Sequence, residues 1–181
     1  MQDIRSSDPK ALVRALFAPI AEDMAAVDAI IRKELDSDVP RMREIGEHIV
    51  SAGGKRMRPA LLMLICRALG YEGELHRYLG ATIELLHTAT LMHDDVVDES
   101  AVRRGKPTAN ALWGNGVAVL VGDFLYTRSF QMMIRAGNLR VMRALADAAN
   151  TLAEGEVKQM VNAHDPTVDE KRYFEVIERK T

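Results

Sequence analysis

The sequence predicts an all-α protein, and two observations carry that reading. Alanine, leucine and methionine together number 51 against 25 for valine plus isoleucine, a balance that favours helix over strand. Apolar positions recur three and four residues apart rather than alternating, the period of a helix with one buried face. Glycine and proline total only 18 of 181 residues, which excludes collagen-like and low-complexity chains. At this length the expectation is a single domain spanning residues 1–181 with a real core.

Asp8 and Pro9 supply a cap and a first-turn proline. From there Leu12, Ala15, Leu16, Pro19, Ile20, Met24, Val27, Ile30 and Ile31 give one apolar face, so the first helix is expected to run to about Leu35. Asp36 to Pro40 breaks it. A second helix carries Met42, Ile45 and Ile49 and stops at Gly53-Gly54, and Pro59 opens a third. Residues 60–69 are apolar on nearly every side except Arg67, which predicts a helix enclosed by others and ending at Gly70. No proline interrupts Glu74 to Asp98, and the run from Ile83 to Met92 predicts a buried helix that delivers acids at its far end. Glu99 to Pro107 is polar and basic, hence a loop. Gly116–Ala136 and Asn138–Ala163 are expected to be two core-forming helices separated by Gly137. His164-Asp165-Pro166 then breaks the chain. Thr167 to Glu170 has capping-box spacing for a last helix still running at Thr181.

Composition excludes several classes. With 48% hydrophobic and 28% charged residues the chain is globular, not disordered or collagen-like. Its 24 basic and 26 acidic residues leave a formal charge of −2, so no global positive field recruits nucleic acid, and any anion site must be built locally. A single cysteine, Cys66, rules out a disulfide framework and fits a reducing, cytoplasmic setting as an inert buried thiol. No apolar stretch approaches a membrane span, and Asp3, Asp8, Glu22, Asp23 and Asp28 stand where a signal peptide would be apolar.

Two local patterns carry chemistry. Asp94 and Asp98 are one helical turn apart, so their carboxylates share a face with Cβ atoms about 5–6 Å apart. That repulsion is relieved by a bridging cation. Mg²⁺ takes one or two carboxylates and keeps water and phosphate oxygens in its shell, so the implied substrate is a phosphate or diphosphate. Arg103-Arg104 follows immediately, in position to hold the anion. The second pattern is Gly53-Gly54-Lys55-Arg56-Met57-Arg58-Pro59, where paired glycines allow close backbone approach and three cations stand at the mouth of a helix. A solvated acidic helix end and a basic solubilising turn are the plain alternatives. Trp113 and Met132-Met133 are expected to be packing groups.

Taken in order, Gly-Gly-Lys-Arg-x-Arg-Pro (53–59), His-Thr-Ala-Thr-Leu-x-His-Asp-Asp-x-x-Asp (87–98), Arg-Arg-Gly (103–105), Gly-Asp-Phe-Leu-Tyr (122–126), Glu-Gly-Glu (154–156) and Lys-Thr (180–181) resemble the trans-polyprenyl diphosphate synthases, most of all the long-chain octaprenyl and decaprenyl type. The resemblance implies an isoprenoid-synthase-type helical bundle. It also implies Mg²⁺-dependent head-to-tail condensation of isopentenyl diphosphate with an allylic prenyl diphosphate, giving a long all-trans chain of the kind used for ubiquinone side chains. Asp94 and Asp98 match the metal-binding acids of the first aspartate-rich motif, with Asp95 a further acid of it. Lys55, Arg58, His87 and Arg104 match the isopentenyl diphosphate site. Arg103 matches an arginine on the allylic diphosphate, and Lys180 with Thr181 a pair near the same group. Neutralising the allylic diphosphate makes it a better leaving group, and separate cationic pockets keep two anions apart.

On the same resemblance a bulky aromatic near position 89 ends elongation early, so Ala89 with Thr90 is expected to leave room for a long product; close helix packing is the alternative reason for an alanine there. Family members pair as dimers, and Val117 to Val121 with Phe124 and Tyr126 is a candidate surface, with ordinary core the equal alternative. The family's second aspartate-rich motif has no counterpart in these residues, so the chain is expected to be the N-terminal portion of such a domain, truncated before its C-terminal helices, and inactive alone. His93, beside Asp94, is expected to be either a supporting neighbour of that acid or a structural residue. Two rivals remain: a non-catalytic helical subunit of a synthase complex, and a metal-dependent phosphohydrolase centred on His93-Asp94.

Overall fold

The computed structural model describes residue 11 and residues 15–180. The Asp8-Pro9 cap, Leu12 and Thr181 lie outside the described residues. Where one continuous first helix was expected, Pro19 places a 3₁₀ turn at Ala18–Ile20 before helix α1, Ala21–Glu34; proline has no N–H with which to continue the α ladder. Helix α2, Pro40–Ser51, starts on its proline. Helix α3, Met57–Ala68, starts two residues before Pro59, which sits within its first turn where a missing N–H costs nothing. Helix α4, Leu75–Val97, is the long central one.

The stretch expected to be plain loop contains a small antiparallel hairpin, β1 (Val102–Arg103) and β2 (Lys106–Pro107). Arg104 and Gly105 at its tip have φ of 54° and 76°, the positive pair that a two-residue type I′ turn requires. A short helix α5 (Ala109–Trp113) follows, capped by the Thr108 side chain, and then α6 (Asn115–Arg135), α7 (Leu139–Asn162) and α8 (Glu170–Lys180).

The chain forms two compact units, Met1–Ala136 and Gly137–Thr181. In the first, α4 packs along α6 and against α1 and α3. Val27, Ile31, Ile45, Met63, Leu85, Leu125 and Met132 are buried there, each contributing about 1.5–3 kcal/mol by leaving water. Gly80 permits this closeness: a Cβ on it would stand 3.0–3.4 Å from Met63, Pro59 and Val27. Helix α3 is less enclosed than expected. Pro59, Ala60 and Met63 are buried, but Met57, Leu61, Ile65 and Leu69, spaced four apart, face outward. The candidate dimer stretch divides likewise: Ala118 and Val121 are core, Leu120 is exposed.

The second unit corrects two expectations. Helix α7 is not core-forming: its only buried residue is Gly155, and Leu139, Val157, Met160 and Val161 are exposed. The cap of α8 is Asp169, whose carboxylate accepts from Arg172 N at 2.8 Å. Thr167 instead gives its N–H and hydroxyl to Asp165. Those bonds, with Arg172 at 2.9 Å, pull the Asp165 pKa down to about 2. Among the described residues no helix is long and apolar enough to cross a membrane.

Candidate active site

Helix α4 ends where Glu99 adopts φ 51° and the chain turns back, Ser100 N donating to Asp95 O at 2.9 Å. Asn110 Nδ2 reaches the carbonyls of Asp95 (3.2 Å) and Ser100 (3.0 Å), and the Thr108 hydroxyl donates to Ser100 O at 2.7 Å, so the base of the hairpin is tied to the helix end. The far side is tied to α2 and the loop after it. Lys106 Nζ donates to Ser51 O at 2.7 Å, His48 Nε2 lies 3.0 Å from Pro107 O, and Arg104 donates to Gly53 O. The close approach that Gly53-Gly54 permits is therefore occupied by a side chain: a Cβ on Gly54 would stand 2.6 Å from an Arg104 guanidinium nitrogen.

These ties enclose a cavity lined by Arg56, Glu84, His87, Asp95, Arg103 and Arg104 on its polar side, and by Ile49, Leu91 and Met92 on its apolar side. Asp95 is buried, and its Oδ1 takes both Nε and NH2 of Arg103 at 2.8 Å. Its bond to Asp95 and the field of Asp95, Asp94 and Asp98 raise the Arg103 pKa further, against the lowering effect of burial. Asp95 thus orients an arginine, while Asp94 is half-buried and Asp98 is exposed. They sit at the negative end of the helix dipole, with no basic residue in the last turn, a placement that favours a cation over two anions. Among the described residues, no group of three or more His, Cys, Asp or Glu side chains is arranged to hold a metal by itself. Two carboxylates suit Mg²⁺, which completes its shell with water and phosphate oxygens.

His87 is half-buried. Burial lowers its pKa to about 4, helped by the positive charges of Arg58, Arg104 and Arg103 and opposed by Glu84. The ring is therefore neutral near pH 7, and arginines from both basic clusters lie within electrostatic reach of it. Lys55 and Arg58 are exposed and do not line the cavity. Arg56, between them, does.

The remaining expected residues fall elsewhere. Ala89 is fully buried in the core, and Thr90 gives its hydroxyl to His87 O at 2.8 Å; neither lines the cavity. His93 Nε2 faces α6, 3.3 Å from both Val119 O and Asp123 Oδ1, over Gly122, where a Cβ would stand 2.4 Å away. In the second unit Lys180 Nζ bonds Glu156 (2.8 Å) and Gln159 (2.9 Å), and Arg179 bonds Glu154 (2.9 Å), so Arg179 and Lys180 meet the Glu-Gly-Glu motif across Gly155. Sequence reasoning missed Asp28, Glu84, His48 and Lys106 as builders of the first site. Only Arg56 had a local signal, as the unassigned cation of its motif.

The first unit is mainly helical, and its cavity gathers Arg56, Arg103 and Arg104 around Asp95 at the end of α4, which makes it a helical anion-binding site. The chain belongs to the polyprenyl synthetase family, whose sequence model matches residues 39–181. It is 55% identical over 161 residues to an octaprenyl diphosphate synthase of Escherichia coli (89% of this chain, 50% of the relative). It is 46% identical to an all-trans-nonaprenyl-diphosphate synthase of Rhodobacter capsulatus, over 92% of this chain and 51% of the relative. Its fold matches a decaprenyl diphosphate synthase from Rhodobacter capsulatus with a TM-score of 0.88 at 52% identity, covering 92% of this chain and 52% of that one. A polyprenyl synthase from Caulobacter crescentus, complexed with calcium and isoprenyl diphosphate, gives 0.88 at 41%, covering 92% and 51%. The chain spans about half the length of the curated relatives it matches.

Proposed function

We propose that this chain contributes the first half of a Mg²⁺-dependent long-chain polyprenyl diphosphate synthase, which condenses isopentenyl diphosphate head-to-tail with an allylic prenyl diphosphate to make a ubiquinone side-chain precursor. The observation that carries the reading is the cavity that brings Arg56, Arg103 and Arg104 together with His87 at the end of α4 that carries Asp94 and Asp98, with Arg58 within electrostatic reach of His87. The relatives' names and the calcium and isoprenyl diphosphate of the Caulobacter protein support it.

Asp94 and Asp98 would hold Mg²⁺, which neutralises the leaving diphosphate when bound. Arg103, fixed by Asp95, bears on the same diphosphate. Lys55, Arg58 and Arg104 hold isopentenyl diphosphate, and His87, being neutral, serves it as a ring N–H donor rather than as a cation. Lys180 and Thr181 act near the allylic group. Ala89 and Thr90 leave room for a long product, the whole enzyme is a cytoplasmic homodimer, and the second half supplies the remaining metal ligands. On this reading the isolated chain binds diphosphate with Mg²⁺ but makes no polyprenyl product.

The test combines calorimetry of isopentenyl diphosphate binding with an assay containing Mg²⁺, an allylic diphosphate and labelled isopentenyl diphosphate. Binding without turnover is expected. Turnover at an ordinary enzymatic rate by the chain alone would refute the half-site reading. Absence of binding, with release of phosphate from nucleotides, would favour the phosphohydrolase; the turn of His93 toward Asp123 speaks against that alternative.

A further inference from the structure

We propose that Asp28, Arg56 and Glu84 form a positioning device for the diphosphate-binding loop, with Glu84 as its buried anchor. The inference rests on the reading of Lys55 and Arg58 as diphosphate-binding cations. Arg56 NH1 lies 2.9 Å from Glu84 Oε1, and its Nε 3.2 Å from Asp28 Oδ1. The Arg56 side chain is 17% exposed and that of Glu84 only 6%, so the pair is largely shielded from solvent screening. Asp28 belongs to α1 and Glu84 to α4, each 28 residues from Arg56. One guanidinium thereby joins the loop to two helices of the core.

The backbone shows what that grip holds. Arg56 has φ 49° and ψ 33°, a left-handed conformation that a non-glycine residue keeps only when its surroundings fix it. This single reversal turns the chain between Lys55 and Arg58. It sends the Arg56 side chain inward to the cavity wall and leaves the two flanking cations outward. Glu84 is also one turn before His87 on α4, and the Thr88 hydroxyl donates to Glu84 O at 2.7 Å, so the anchor and the ring that faces the cations share one rigid face. From the other side Arg104 holds the same loop at Gly53 O.

A carboxylate in the wall of an anion-binding cavity makes the proposal separable from simple electrostatics. If Glu84 acted only as a charge, its neutralisation would tighten anion binding. If it positions Arg56, neutralisation releases the loop and weakens binding. The experiment is calorimetric titration of the full 181-residue chain with isopentenyl diphosphate, for the wild type, Glu84→Gln and Asp28→Asn. Glu84→Gln is expected to weaken binding about tenfold through misplacement of the cations. Asp28→Asn, which leaves the buried pair intact and so guards against a failure to fold, is expected to weaken it about threefold. Equal or tighter binding by Glu84→Gln would overturn the proposal. A ligand-free readout separates this from failure of the functional reading: the Arg56 Nη–H resonance, from the group that donates to Glu84 at 2.9 Å, should be resolved in the wild type and lost to solvent exchange in Glu84→Gln. An unchanged resonance overturns the positioning role whatever the binding data show, whereas a wild type that binds nothing overturns the diphosphate reading.

Discussion

The two compact units are held together by different forces. In the first, α4 and α6 bury a continuous apolar core, and several polar groups of the site are tied beside it: Arg103 to Asp95, Arg56 to Glu84, Thr108 to Ser100. In the second, α7 and α8 meet at one buried glycine and are joined by Lys158–Glu175, Arg179–Glu154 and Lys180–Glu156 near the surface. Val157, Met160, Val161, Tyr173 and Phe174 remain exposed there. Salt does not screen a hydrophobic core, whereas it does screen partly exposed ion pairs. The motifs of the first unit are therefore preorganised, and those of the second are held by forces that ionic strength weakens.

The largest expected effect lies in the first core. Leu125→Ala, at a fully buried position, should cost about 2–5 kcal/mol in urea unfolding, whereas Val161→Ala should stay within about 0.5 kcal/mol; similar losses at both sites would erase the contrast. Next comes the acid pair. Asp98→Ala should reduce Mg²⁺-dependent binding of inorganic pyrophosphate by about a hundredfold while leaving the melting temperature unchanged or raised, since it removes a negative charge from a helix C-terminus.

A smaller effect is pH-dependent. His87 has a pKa of about 4 in the folded chain against about 6.5 unfolded. Above the unfolded value the ring is neutral in both states and its contribution is complete. As pH falls from there toward 4 the unfolded chain takes up a proton that the folded one refuses, so stability declines. His87→Gln should flatten that decline in urea melts between those pH values. Bound diphosphate should shift the ring's NMR titration upward. The smallest effect belongs to the second unit: Glu156→Gln should cost no more than about 1 kcal/mol, and less in high salt.

Much of the first unit was legible because its signals are local. The diacid end of α4, the basic loop and the order of helices all follow from spacing within a few residues. The hairpin was missed because a four-residue run, Arg103 to Lys106, reads as polar loop until two positive φ values pair it. The sequence of helix α3 is apolar nearly all round and so predicts an enclosed helix, yet Met57, Leu61 and Ile65 face outward, as does Leu69 just after it; hydrophobicity alone does not say which face has a partner. Asp95 looks like its neighbours in sequence, and only its burial against Arg103 separates a positioning acid from Asp94 and Asp98. Glu84 and Asp28 carried no local signal, since each meets Arg56 across 28 residues.

The account depends on the loop cations and the hairpin cations holding one ligand, and a double-mutant cycle on Arg58→Ala and Arg104→Ala with isopentenyl diphosphate as the probe tests this most directly. Two arginines gripping one ligand predict a coupling energy of about 1 kcal/mol or more. Losses that simply add, within about 0.5 kcal/mol, would place the two clusters at separate sites and contradict it.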